Sequence, residues 1–127
     1  MKLQIKTVPI SATIIGMLLD GPINGTTYRL LDEEVGRLLA GPYKTLVLDM
    51  KGVDQVTSAG IGVIMKAKAS AKNKGGDVAM RNVQPQVKRV FEIMSLVPAL
   101  NVFESRAELD DYLTGIQQRI VEDQDES

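Results

Sequence analysis

The chain contains no cysteine, no histidine and no tryptophan, and aromatic residues make up only 4% of its 127 residues. The first two absences exclude disulfides, thiolate nucleophiles, imidazole bases and the usual zinc sites. The few aromatic side chains are too sparse for a surface that stacks nucleic-acid bases. A small-molecule enzyme is therefore the weakest functional hypothesis, and the sequence predicts no catalytic residue, no metal site and no cofactor.

An excess of charge of one sign is also missing, because 15 basic side chains balance 16 acidic ones and the net charge is −1. Such a chain has no overall field that attracts nucleic acid or an anionic membrane. No apolar run is long enough to cross a bilayer, and the first residues alternate polar and apolar rather than forming a signal peptide. We therefore expect a cytoplasmic protein without membrane insertion and without direct nucleic-acid contact.

Strand and helix patterns alternate along the chain after an opening pair of strands. Strands are predicted at 3–8, 12–19, 45–49, 77–81 and 101–103, and helices at 26–40, 59–72, from 82–85 to 96–98, and after 105 with Leu109, Leu113, Ile116 and Ile120 on the apolar side. This order predicts one α/β domain over residues 1–121, with a mixed, mostly parallel sheet of about five strands covered by about four helices. Residues 122–127 are expected to form a frayed acidic tail.

The most informative stretch is the turn between the strand 45–49 and the helix that follows it. Thr57 and Ser58 place two hydroxyl groups where this helix must begin. A hydroxyl at that point can cap the helix by accepting from a free backbone N–H. The same free N–H groups and the positive end of the helix dipole also suit a phosphate. At the preceding helix, 26–40, Asn24 or Thr26 is expected to act as the cap.

The helix 59–72 has two different sides. Its inner side is predicted to carry small and apolar residues that pack on the sheet, namely Gly60, Val63, Ile64, Ala67 and Ala71. The opposite side carries Gly62, Met65 and Ala69, with Ile61 near its edge, and Ser58 points the same way. This side is either covered by a neighbouring helix or forms an apolar patch for a partner.

Other charged or glycine-rich features are interpreted as structural. Four lysines, Lys66, Lys68, Lys72 and Lys74, point in scattered helical directions and predict a solvated surface. Gly60 lacks the spacing of a nucleotide-binding P-loop. Asp49 and Asp54 have no third ligand for a metal, so Asp49 is interpreted as the polar end of a buried strand and Asp54 as a turn residue near Ser58.

An ordered set of short motifs resembles the STAS domain, the fold of bacterial anti-sigma-factor antagonists. The core of the resemblance is Leu-Val-Leu-Asp at 46–49, Gly-Val at 52–53 and Thr-Ser-Ala-Gly-Ile-Gly at 57–62. Gly-Pro-Ile-Asn at 21–24, Gly-Gly-Asp at 75–77, residues 87–95 and Val-Phe-Glu-Ser at 102–105 agree with the family in the same order. The resemblance covers nearly the whole chain.

The resemblance implies a phosphorylation switch. In the family, an anti-sigma factor with serine kinase activity phosphorylates the turn serine, which is Ser58 here, while Thr57 would serve as the cap. The unphosphorylated antagonist binds that kinase and frees a sigma factor, and a metal-dependent serine phosphatase restores the binding form. The implied partner surface comprises Asp20, Asn24, Asp54, Thr57, Ser58, Ile61, Gly62, Met65 and Ala69.

Two positions depart from the family pattern. Thr57 and Asn24 stand where the family often has acids. If those acids orient the serine or hold a metal in the kinase complex, this chain is a poorer kinase substrate. The departures leave open a second function, that of a scaffold subunit in a stressosome-like assembly or a soluble component of a transport system.

Overall fold

A five-stranded sheet in the order β1-β2-β3-β4-β5 forms the centre of the computed structural model, which describes residues 2–96, 102–103, 107–108 and 110–114. The strands are β1 (Gln4–Pro9), β2 (Ile14–Asp20), β3 (Thr45–Gly52), β4 (Val78–Arg81) and β5 (Val102–Phe103). β1 pairs antiparallel with β2, and every other neighbouring pair is parallel. The structure confirms the predicted mixed, mostly parallel sheet.

The helices are α1 (Tyr28–Ala40), α2 (Ser58–Asn73) and α3 (Pro85–Ile93). Residues 107–108 and 110–114 are helical as well, and we call them the C-terminal helix segment. None of these helices is both long and apolar enough to cross a membrane. Ile116, Ile120, the domain boundary at 121 and the acidic tail lie outside the described residues.

The sheet has two differently covered faces because side chains alternate along each strand. On the front face, Leu19, Leu48 and Met80 belong to one core with the apolar sides of α1, α2 and α3. On the back face, a smaller core joins residues of three strands to the C-terminal helix segment; its members are Ile14, Val47, Ala79 and Leu113, with Tyr112 packed against it. β3 and β4 are therefore covered on both faces, as parallel strands require, whereas the described residues cover the back of β2 only at Ile14.

The predicted inner side of α2 is confirmed. Gly60, Val63, Ile64, Ala67 and Ala71 are all buried. α2 begins one residue earlier than predicted, at Ser58, which places that residue inside the first turn of the helix.

The prediction of a solvated lysine surface is wrong for two of the four lysines. Lys68 is 8% exposed, and its ammonium lies 3.0 Å from the carboxylate of Asp77. Lys74 donates to the carbonyl oxygen of Leu39 in the last turn of α1 and to those of Gly41 and Tyr43 in the loop that follows. A cation is favourable there because the last carbonyls of a helix are unpaired and carry the negative end of its dipole.

Candidate docking site at the start of α2

The turn that leads into α2 is bound to the turn that leads into α1. Ile23 and Val56 form a parallel bridge between the two turns. The N–H of Ile23 donates to the carbonyl of Gln55, and the N–H of Thr57 donates to the carbonyl of Ile23, both at 2.9 Å. The turns that carry Asn24 and Ser58 are therefore held together by backbone hydrogen bonds.

Gly60 allows this close approach. A Cβ on Gly60 would lie 2.6 Å from Cγ2 of Ile23 and 2.9 Å from its carbonyl oxygen. Real side chains do not tolerate such distances, so a larger residue would push the start of α2 away from the bridge. Gly62, two residues further on, is exposed, and a Cβ there would meet nothing within 4 Å. Packing therefore explains why residue 60 is glycine, but it does not explain why residue 62 is.

Ser58 is the first residue of this 16-residue helix, and it is exposed. Its hydroxyl makes no hydrogen bond to any residue that the structure describes. The first backbone hydrogen bond of the helix runs from the N–H of Ile61 to the carbonyl of Thr57, at 2.9 Å. The N–H groups of Ser58, Ala59 and Gly60 have no acceptor within the described chain. The start of α2 thus presents a free hydroxyl and free donors at the positive end of the dipole.

Thr57 takes the cap position without capping the helix. Its backbone is extended, with φ −95° and ψ 177°, and its side chain makes no capping hydrogen bond. Instead, Oγ1 is buried and has no hydrogen-bond partner among the described residues. The prediction that the Thr57 side chain caps α2 is therefore wrong. An unpaired buried hydroxyl costs free energy, because it has lost water and gained nothing in exchange.

Asn24 builds the turn before α1 from its own side chain. Its Oδ1 accepts from the N–H of Thr26 at 2.9 Å and from that of Thr27 at 3.1 Å. The cap position belongs to Thr27, whose hydroxyl accepts from the N–H of Asn24 and donates to the carbonyl of Pro22. The predicted cap at Asn24 or Thr26 is therefore wrong in position, although the Asn24 side chain does stabilise the turn that leads into α1. An amide oxygen accepts the same bonds as a carboxylate, so the departure from the family acid leaves the turn intact.

The remaining predicted site residues differ in exposure. Those that are exposed are Asp20, Asp54, Gly62 and Ala69, whereas Met65 is half-buried. Ile61 is only 6% exposed and belongs to the front core. The prediction that Ile61 lies at the edge of an exposed patch is corrected, because the buried side of α2 is wider than predicted: Lys68, two turns later on the same side as Ile61, is buried as well. The accessible surface is smaller and more polar than expected.

Asp49 lies inside β3 rather than at its end, because this strand continues to Gly52. Its Oδ1 accepts from the N–H of Lys51 at 3.1 Å and from the amide of Asn82 at 3.2 Å. Arg81 lies 3.8 Å from the other carboxylate oxygen. The carboxylate therefore has a structural role, and no cluster that could hold a metal occurs among the described residues.

A contact that the sequence analysis missed lies at the other end of α2. The carboxylate of Asp77 accepts from Lys68 at 3.0 Å and from the hydroxyl of Tyr112 at 2.6 Å. Burial raises the pKa of Asp77, but the bonds from Tyr112, from the N–H of Val78 and from Lys68 outweigh it and hold that pKa below its ordinary value. Neither spacing nor periodicity indicates a contact between residues 35 positions apart.

Comparison with known proteins places this geometry in a family. BtrV of Bordetella bronchiseptica, assigned as an anti-sigma factor antagonist, is 29% identical over 100 residues, or 74% of this chain and 86% of BtrV. The anti-sigma factor antagonist SpoIIAA in its unphosphorylated form has a TM-score of 0.75 at 16% identity, over 88% of this chain and 97% of its own. The phosphorylated form of this Bacillus protein has a TM-score of 0.67 at 14% identity, over 86% and 99%.

The same fold occurs in a transporter. The murine anion transporter Slc26a9 matches with a TM-score of 0.68 at 21% identity, over 85% of this chain and 18% of the transporter. At such identities the structural likenesses establish the fold. The family model of the STAS domain matches residues 6–109. The chain therefore belongs to the STAS domain family.

Proposed function

We propose that this chain is a phospho-regulated anti-sigma factor antagonist, a binding module without catalysis of its own. With Ser58 unphosphorylated, it binds an anti-sigma factor that has serine kinase activity, and a sigma factor is released. Phosphorylation of Ser58 ends the binding, and a metal-dependent serine phosphatase reverses it. The observation that carries the proposal is the exposed, unbonded hydroxyl of Ser58 at the start of α2. The likeness to BtrV and to both forms of SpoIIAA supports it.

Phosphate at this position acts on the partner rather than on the fold. Phosphorylation adds about 1.5 to 2 negative charges near neutral pH. The free N–H groups at the start of α2 and the helix dipole favour a negative charge there. Asp20 at the end of β2 and Asp54 in the turn before α2 are both exposed, so the phosphate adds to two negative charges that the proposed docking surface already carries. A partner fitted to the neutral serine would then meet a strong excess of negative charge.

The docking surface combines the exposed line of α2 with the two joined turns. On α2 it includes Ser58, Gly62, Met65 and Ala69, and in the turns it includes Asp20, Asn24, Asp54 and the exposed part of Thr57. Gly62 has no packing reason to be glycine, and the missing side chain would let a partner's backbone approach closely. Met65 can adapt to an irregular apolar contact.

A charge substitution tests the proposal. Binding of the chain to the serine-kinase anti-sigma factor of its own organism is measured by calorimetry. Ser58→Glu should lower affinity at least about tenfold, because a misplaced like charge costs several kcal/mol, whereas Ser58→Ala should bind like the wild type. Ala12→Glu adds the same charge to an exposed turn in the β1–β2 hairpin and should change nothing. Unchanged affinity of folded Ser58→Glu would contradict the proposal.

The family acids provide a second test of the switch. The kinase and ATP are incubated with wild type, Thr57→Asp and Asn24→Asp, and the phosphate is located by peptide mass. Phosphate should appear on Ser58 and be absent from Ser58→Ala. If the missing acids slow the kinase, Thr57→Asp should be phosphorylated faster than wild type. Phosphate on another residue of the wild type would contradict the assignment of Ser58.

A scaffold role in a stressosome-like assembly or a transport system is the second candidate. The match to the STAS region of Slc26a9 favours it, because that domain forms part of a transporter. This function predicts a large complex in light scattering, whatever the state of Ser58. A small particle whose partner binding depends on Ser58 would contradict it.

A further inference from the structure

The back face of the sheet is covered over only part of its width. Leu113 of the C-terminal helix segment packs against Ile14, Val47 and Ala79. Beside this small core, the back of β1 and β2 has no covering element among the described residues. A sheet face that carries apolar side chains is normally packed against another layer.

The uncovered area is an apolar strip formed by Val8, Ile10, Gly16 and Leu18. Val8 is 50% exposed, Ile10 51% and Leu18 42%. They are three of the six large hydrophobic side chains with substantial exposure in the described chain. Val8 lies opposite Gly16 in the ladder, and Ile10 covers Gly16, with its Cδ1 3.7 Å from where a Cβ would stand. The strip is therefore continuous rather than a scatter of single residues.

Charges of both signs surround Leu18 at one end of the strip. Lys6 lies directly opposite Leu18 in the ladder, and Asp20 follows two residues later on the same face. With Lys51, they line a depression of about 480 Å³ together with Gln4, Leu19, Asp49 and Gly52. No ion pair joins Lys6, Asp20 or Lys51 to another described residue. An apolar strip with a cation and an anion at its rim is complementary to itself.

We propose that a second copy of this chain covers the strip in a twofold, face-to-face dimer. Leu18 and Val8 pack against the same residues of the second copy, and Lys6 of each copy pairs with Asp20 of the other. The contact uses the face rather than the edge of the sheet, because β1 ends at Pro9 and carries Lys6, features that oppose edge-to-edge pairing. α2 packs on the front face, so the dimer leaves Ser58 accessible, whereas it covers Asp20, which also lies at the edge of the proposed docking surface.

The mass of the purified chain in solution, measured by sedimentation equilibrium over a concentration series, tests this dimer. The wild type should dimerise with rising concentration. Leu18→Lys should raise the dissociation constant at least tenfold, since it buries an added charge at the centre of the contact. Leu30→Lys is the matched control, because Leu30 is similarly exposed at 47% but lies on α1, and it should dimerise like the wild type.

A charge swap separates a specific contact from misfolding. Lys6→Glu should weaken the dimer, because it places like charges together, and Lys6→Glu combined with Asp20→Lys should restore it. A wild type that stays monomeric at every concentration would overturn the proposal. A folded Leu18→Lys variant with an unchanged dissociation constant would also overturn it. Equal weakening of the dimer by Leu18→Lys and Leu30→Lys would overturn it as well. If Leu18→Lys does not fold, the charge swap decides: failure of the double variant to restore dimerisation overturns the proposed contact.

Discussion

The two ends of α2 differ in whether their polar groups find partners among the described residues. At its start, as far as the described residues extend, the hydroxyl of Ser58 is exposed and unbonded, the first N–H groups lack acceptors, and Thr57 Oγ1 is buried without a partner. Towards its other end, Lys68 is paired with Asp77 inside the protein, and Lys74 donates to the carbonyl of Leu39 in α1 and to those of Gly41 and Tyr43 just after it. The start leaves polar groups for something else to satisfy, whereas the end satisfies them within the chain.

This difference shows how one helix can serve both the fold and its proposed function. Unsatisfied polar groups lower stability, so a site that keeps them must be held by other contacts. Here the bridge between Ile23 and Val56 holds the start in place, and the buried ion pair anchors the opposite end. Substitutions of the buried ion pair should therefore lower stability, whereas substitutions of the unsatisfied polar groups at the start should change it little or even raise it.

The largest effect is expected when the anchored end is broken. Asp77→Asn keeps the shape but leaves the ammonium of Lys68 buried without a counter-charge, and the loss of one partner of a buried pair costs about 3 kcal/mol or more. The free energy of unfolding in urea measures it. Asp32→Asn, which removes the partner of exposed Lys66, is the control and should cost less than about 1 kcal/mol. Equal losses would mean that the buried pair of Lys68 and Asp77 contributes no more to stability than an exposed ion pair.

The next effect compares two glycines within one turn of α2. Gly60→Ala places a Cβ against Ile23, and such overpacking should cost about 2 kcal/mol. Gly62→Ala enters open space, and alanine is the better helix former, so it should gain up to about 1 kcal/mol. Thermal unfolding of both variants checks the signs. A loss at Gly62 as large as that at Gly60 would contradict the structure of the turn.

A smaller gain is expected at Thr57. Thr57→Val keeps the branched shape and removes the buried, unpaired hydroxyl. The free energy of unfolding should therefore rise by about 1 kcal/mol. Thr57→Ser keeps a hydroxyl and should show no such gain. Urea titration of the three proteins measures the difference. A loss of stability in Thr57→Val would mean that the hydroxyl has a partner within the fold.

The smallest effect is the response of the anchored end to acid. The pKa of Asp77 is lower in the folded chain than in the unfolded one, because bonds from Tyr112, Val78 and Lys68 outweigh its burial. The stability it contributes is present above the ordinary carboxylate pKa and is lost as the pH falls through the folded pKa. Unfolding measured against pH below about 4 should show this loss in the wild type and a shallower slope in Asp77→Asn. Equal slopes would contradict it.

Local patterns predicted much of the fold because local chemistry determines it. The spacing of Val63, Ile64 and Ala67 identified the inner side of α2, since a packed helix buries one side. Gly60 and Ser58 were identified because few residue types suit the turn that precedes a helix. The family resemblance then supplied the proposed role of Ser58, which the hydroxyl alone left open.

The errors involve contacts between distant parts of the chain. Lys68 was expected in solvent because its partner, Asp77, lies just before β4. The spacing of residues along a helix does not show which of them contact a strand. Thr57 was expected to cap α2, but the bond from its N–H to Ile23 holds the backbone of the turn, and its side chain turns inward. Ile61 was expected at the edge of an exposed patch because the predicted buried side of α2 was too narrow; the side that is buried includes Ile61 and Lys68.

The bond between Tyr112 and Asp77 has a consequence for synthesis in the cell. Asp77 is contacted by α2 on the front of the sheet and by the C-terminal helix segment behind it. Leu113, one residue after Tyr112, closes the back core over Ile14, Val47 and Ala79. A chain emerging from the ribosome can form its front layer first, but the back of β2, β3 and β4 stays open until this segment arrives. A nascent chain that stalls before Tyr112 would present those apolar residues to chaperones and proteases.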